Sequence, residues 1–196
     1  MKATLIWMPW AAAAGLLAAQ ACSFPGGAAP IEDAGTATDR KVSATQTVDQ
    51  WEDLSALAAR RLIDEYGVPD EVAAKSLTWN GKGAWKRTVV RDEPPADASG
   101  RDMGIVVQSV GYDALTPPQS ALLASFDDRL SFDARSQELT AQSDREELNI
   151  LRLNLADDVL HERLNPKEAR AEYFDDLELF EAGKTKPDWT VLRMTH

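Results

Sequence analysis

LTWNGKGAWKRTVVRD, residues 77–92, reads as a β-hairpin. Its arms are rich in Thr, Trp and Val, side chains that suit a pleated and half-buried surface. Between them stand Asn80, Gly81, Lys82 and Gly83, and glycine and asparagine tolerate the positive backbone angles of a tight reversal. Two strands joined by so short a link must run antiparallel, which points away from a parallel sheet.

Upstream, Thr47 and Gln50 have the spacing of a capping box, and Trp51, Leu54, Ala58, Leu62 and Tyr66 recur every three or four residues. The pattern predicts a helix over residues 47–66 with that set as its buried face. Gly67 can take the left-handed conformation that ends a helix, and Pro69 cannot continue one. This helix, the Gly67 and Pro69 stop and the Trp-bearing hairpin resemble small outer-membrane assembly lipoproteins of the BamE type. The second half of the chain has no counterpart in that family.

Downstream, Pro94 and Pro95 open a loop, and MGIVVQSVGY, residues 103–112, supplies a third strand. Thr116 and Gln119 repeat the capping-box spacing around Pro117, and Leu122, Leu123 and Phe126 continue a short helix. Leu130, Phe132 and Ala134, then Leu139 and Ala141, alternate with polar residues as a second hairpin. Ser143 and Glu146 are expected to cap a long helix reaching Leu164, with an unusually wide apolar stripe. Asn165, Pro166 and Glu168 open another helix that stops at Gly183. The tail around Trp189 either adds an edge strand or packs on the body. The sum is an α+β fold, an antiparallel sheet of about five strands with helices mainly on one face, spanning residues 47–196 as a single domain.

The first 22 residues, MKATLIWMPWAAAAGLLAAQAC, have a positive charge at Lys2, an uncharged apolar stretch and small residues at Ala19 and Ala21. That is the layout of an export signal over residues 1–21, cut before Cys22. An exported domain normally uses cysteines in pairs, yet Cys22 is the only cysteine in the chain. The stretch Ala18–Cys22 resembles the lipobox of bacterial lipoproteins. That resemblance implies a diacylglycerol on the Cys22 sulfur and, with Ser23 rather than Asp following, the periplasmic face of the outer membrane. Two or three acyl chains hold a protein stably where one holds it marginally. Residues 22–46, rich in Gly, Ala, Pro, Ser and Thr, read as a lipidated flexible tether with a reach of roughly 25 to 30 Å.

Lys2 is the only charge before Cys22, so the remainder carries 20 of the 21 basic side chains against 32 acidic ones, a net charge of −12. Such a surface repels phosphate backbones and anionic headgroups, which excludes nucleic acid as a partner and leaves the membrane contact to the lipid. His161 and His196 are the two histidines. Asp157 stands one helical turn before His161, a spacing that allows a shared proton or a metal, but a surface histidine among carboxylates is the expected reading. The pairs Asp127 with Asp128, Asp157 with Asp158 and Asp175 with Asp176 lack the alternating ligands and glycine of a calcium loop and are expected to be solvated. Asn149 and Arg152, on the buried arc of the long helix, are expected to make internal hydrogen bonds.

No catalytic residue, metal or cofactor is assigned. The binding candidates are Trp79, Asn80 and Trp85, whose rings beside a glycine-rich turn offer flat apolar area; the competing reading makes the two tryptophans a cross-strand pair facing the core. The functional expectation is a lipid-anchored envelope protein that binds or scaffolds an envelope partner. The alternative is a periplasmic hydrolase acting on envelope carbohydrate through carboxylates alone, which requires a concave pocket with two of them. Mass spectrometry of the purified mature N-terminus is expected to find an acylated Cys22 as its first residue; a free thiol there, or a retained leader, overturns the anchor.

Overall fold

Six antiparallel strands form one sheet in the order β1-β2-β3-β4-β6-β5. The computed structural model describes residues 37–93 and 104–194. The expected leader, Cys22 and the tether up to residue 36 lie outside the described residues. The strands are β1 (Glu71–Ala73), β2 (Ser76–Lys82), β3 (Trp85–Arg91), β4 (Val106–Gly111), β5 (Leu130–Asp133) and β6 (Glu138–Ser143). Five helices accompany them: α1 (Ala37–Val48), α2 (Asp53–Tyr66), α3 (Pro117–Phe126), α4 (Glu146–Leu160) and α5 (Pro166–Glu181). The α+β class and the antiparallel sheet are as the sequence predicts. The count is six because residues 71–73 pair with residues 76–78 as a short outer strand.

The hairpin expected over residues 77–92 is present, with β2 and β3 joined through Gly83 and Ala84. Gly83 has φ +58, the left-handed value that a two-residue hairpin loop of the primed type needs at its first position. The registers Trp79↔Thr88, Thr88↔Gln108, Gln108↔Ala141 and Leu130↔Ala141 carry one face across the sheet. Because successive side chains alternate, Leu77, Val90, Val106, Val110 and Leu139 share that face, and all are buried. The opposite face carries Thr78, Arg87, Val89, Val107, Glu138 and Thr140 in a shallow depression lined by strand residues alone, so the helices keep to one side.

Three sequence-level boundaries are corrected. Residues 37–46, expected as tether, form α1 together with Thr47 and Val48, because Ala44 and Val48, one turn apart, are fully buried beside α2 and β1. A stretch with two core contacts in twelve residues has the composition of a linker, so the pattern carries little signal. Thr47 therefore lies inside α1 and caps nothing. A turn at Asp49–Trp51 intervenes, and the Trp51 indole donates to the Ala74 carbonyl at 2.9 Å. The phase of α2 also differs: its buried residues are Ser55, Ala56, Ala59 and Leu62, while Leu54 is 51% and Leu57 64% exposed. Finally α4 ends at Leu160 rather than Leu164, and Ser143 Oγ engages the backbone of Arg145 instead of capping the helix. The capping boxes at Thr116 with Gln119 and at Asn165 with Glu168 form as expected.

Every residue of α4 from Leu148 to Leu160 is buried. A helix enclosed on all sides must find partners for its polar side chains, since a buried group without one costs about 1–3 kcal/mol. Arg152 donates to Asp127 Oδ2 (2.6 Å), the Gln142 carbonyl (2.8 Å) and the Tyr173 hydroxyl (2.9 Å), with its guanidinium over the Tyr173 ring. Asn154 donates to the Asp188 and Val191 carbonyls and accepts from the Arg193 amide, which fastens the C-terminal tail. That tail forms a short 3₁₀ turn at Pro187–Trp189 and packs its buried Trp189 against Phe180. Arg152 and Asn149 thus make the internal hydrogen bonds expected of them, the latter to the Val106 carbonyl and Gln108.

The Leu153→Ala variant is expected to lose about 2–5 kcal/mol in urea unfolding, and Arg152→Ala about 3–5 kcal/mol because Asp127 is left without its cation. Unchanged midpoints would contradict the enclosed position of α4.

Candidate functional site

Trp79 and Trp85 do not form a surface. Trp79 is fully buried, edge-on to Tyr66, and its indole donates to the Gly67 carbonyl at 3.0 Å. Trp85 is buried too and donates to Glu146 Oε1 at 3.0 Å. Thr88 stands opposite Trp79 and Lys82 opposite Trp85, so the tryptophans are core anchors without being a direct cross-strand pair. Asn80 is exposed, and its backbone and side chain both donate to Asp70 Oδ2. The proposed binding set is therefore divided, with its apolar area spent on the core.

Beneath the sheet Trp85 joins a polar band of Tyr66, Thr88, Gln108 and Glu146 between two apolar clusters. Gln108 donates to Glu146 Oε2 (3.1 Å) and to the Tyr66 hydroxyl (3.2 Å), and Tyr66 in turn donates to Glu146. Burial, and then the hydrogen bond to Glu146, push the Tyr66 phenol far above its ordinary range. The band joins α2, β3, β4 and α4 through directional contacts.

The first concavity, about 580 Å³, lies between the β4–α3 connection, the end of α4 and the tail. It contains Tyr112, Asp157, Asp158, His161, Arg163 and Arg193. Asp157 accepts from the Tyr112 hydroxyl at 2.9 Å, faces His161 Nδ1 at 3.2 Å and pairs with Arg163. Asp158 pairs with Arg163 at 2.6 Å and with Arg193 at 2.8 Å. These two aspartates are buried, not solvated, as is Asp176, which takes Lys186 and the Trp189 indole. Their charges are matched by cations up to 35 residues away in sequence, a pairing that local spacing does not reveal. His161 is exposed, as expected. Burial, and then the bond to Asp157, raise the Tyr112 phenol in the same way as that of Tyr66.

The second concavity, about 230 Å³, runs along α2. Leu54, Leu57, Ala58, Leu62, Ile105 and Val106 supply apolar walls, and Arg61, Glu65, Asp144, Arg145 and Glu146 the polar rim. Arg145 pairs with Asp144 and Arg61 with Glu147. Among the described residues Asp144 Oδ1 and Glu147 Oε2 are buried without a donor. Burial, and then the nearby Glu146 charge, raise the Glu65 carboxyl above its usual value. Sequence reading missed this groove because Leu54 fits the i, i+3, i+4 stripe that it assigned to the core. The surviving signal is that Leu54, Leu57, Ala58 and Leu62 with Ala56 and Ala59 make an arc too wide for one buried face.

Raised phenol values mean that the stabilisation from Tyr66 and Tyr112 is complete below the unfolded value of 10.0 and is lost as pH climbs through the folded values. Denaturant midpoints should therefore fall from about pH 9 to about pH 11. Tyr66 and Tyr112 should ionise late in an ultraviolet titration, read against Tyr66→Phe and Tyr112→Phe variants; ordinary ionisation of both would refute the enclosed phenols. No family model, curated protein or solved structure matches this chain, so no relative bears on either concavity.

Proposed function

We propose that this chain is a lipid-anchored protein of the bacterial cell envelope that binds a partner through the α2 groove. The anchor is the diacylglycerol that the lipobox resemblance implies for Cys22, following a leader over residues 1–21, and Ser23 favours the periplasmic face of the outer membrane. No helix among the described residues is long and apolar enough to cross a membrane. The observation that carries the binding role is the groove itself. Leu54 and Leu57 hold apolar area in water next to a preformed recess, and such area is commonly retained for association.

The polar pocket favours the carboxylate hydrolase as a second reading, since it gathers Asp157 and Asp158 in one cavity. Glycoside hydrolysis asks one carboxyl to donate a proton. Here both carboxylates are held by guanidinium groups, an arrangement suited to fixing the tail.

Cell fractionation tests the proposal. Wild type is expected with membranes and Cys22→Ser in the soluble envelope fraction, and a Cys22→Ser protein that stays with membranes overturns the anchor. An Asp157→Asn, Asp158→Asn variant that loses a measured glycosidase activity would move the function to the polar pocket.

A further inference from the structure

We infer that the α2 groove docks a cationic amphipathic segment of a partner protein, apolar side chains entering beside Leu54 and Leu57 and basic ones meeting the acidic rim at Glu65 and Asp144. The inference rests on the binding role proposed above and names the chemistry of the partner.

Size comes first. A recess of about 230 Å³ falls below the roughly 300–1,000 Å³ of small-molecule pockets. It accommodates an anchoring side chain, with Leu54 and Leu57 outside it to extend the contact. An amphipathic segment laid into an apolar groove presents anchors of that kind at helical spacing.

Charge selects among such segments. The rim cations Arg61 and Arg145 are already committed to Glu147 and Asp144. Glu65 and Glu146 remain in excess, and Glu146 is satisfied by the neutral donors Trp85, Gln108 and Tyr66. The raised Glu65 carboxyl reports the same surplus of negative potential combined with partial burial. Two further carboxylate oxygens, Asp144 Oδ1 and Glu147 Oε2, have acceptor capacity that no described residue fills. Incoming lysine or arginine side chains supply the countercharge that the accessible rim lacks at Glu65.

The same charges disfavour the other occupants. A second copy would bring an identical acidic rim against this one, and like charges across an interface cost several kcal/mol. An anionic lipid surface meets the same repulsion from a chain of net charge −12 beyond its leader.

The test titrates the purified full-length mature chain against fluorescent amphipathic peptides of leucine and lysine, and against the same peptides with glutamate in place of lysine. The leucine–lysine peptide is expected to bind saturably and one to one, more weakly as salt is raised, and the glutamate analogue not to bind. Leu57→Glu should weaken binding by about tenfold or more although it adds negative charge, and Glu65→Gln by about threefold. Both sites are at the surface, and circular dichroism verifies that the variants fold. Binding unchanged or tightened by Leu57→Glu would mean adsorption by charge alone and overturns the groove assignment. So does equal binding of the glutamate analogue, or a self-association seen in sedimentation that Leu57→Glu abolishes. In cells, a photoreactive residue at position 57 that crosslinks a partner through an acidic or uncharged segment overturns the cationic chemistry while leaving the envelope binding role intact. Failure of the anchored role itself is read separately, in the Cys22→Ser fractionation.

Discussion

The enclosure of α4 is the constraint on which the rest of the architecture depends. Thirteen consecutive buried residues, Leu148 to Leu160, cannot be covered by a sheet on one side alone. The sheet, α3, α5 and the tail each take part of the circumference. Apolar side chains supply the bulk of the driving force, but Asn149, Arg152, Asn154, Asp157 and Asp158 specify which element goes where, since their partners lie on β4, β6, α5, the β4–α3 connection and the tail. A rotation of α4 by one residue would strand several of these groups at once. The helix therefore acts as a template with few acceptable arrangements around it.

What could be read from the chain beforehand follows from how local each cause is. The capping boxes opening α3 and α5 lie within four residues, and both helices begin where their sequences say. The hairpins depend on short turns, Gly83 in one and Gln137 at φ +51 in the other, and on period-two alternation, which are equally local. α1 was hidden because two buried side chains, Ala44 and Val48, suffice to fold it against its neighbours. The burial of Asp157, Asp158 and Asp176 was hidden for the opposite reason. Their countercharges, Arg193 and Lys186 among them, arrive from the tail, and an aspartate pair looks the same in sequence whether it meets water or guanidinium. For the candidate site the pattern was visible but Leu54 was assigned to the wrong side, because it is as apolar as any core residue, and Leu57 fell outside the stripe.

The two concavities differ in how completely their polar groups are satisfied. Around Asp157 and Asp158, phenol, imidazole and guanidinium donors converge, and the result locks the tail to the end of α4. Along α2 the accounts stay open, with apolar area in water and carboxylate oxygens without donors. Closed networks serve the fold, whereas exposed apolar area beside a recess with more carboxylates than cations on its rim suits an external molecule.

The outermost strands of the sheet, β1 and β5, are only three and four residues long. Free backbone donors and acceptors along such an edge are few, and an added strand would find too short a ladder to zip onto. For copies crowded together, where encounters are frequent, that brevity keeps neighbours from polymerising edge to edge.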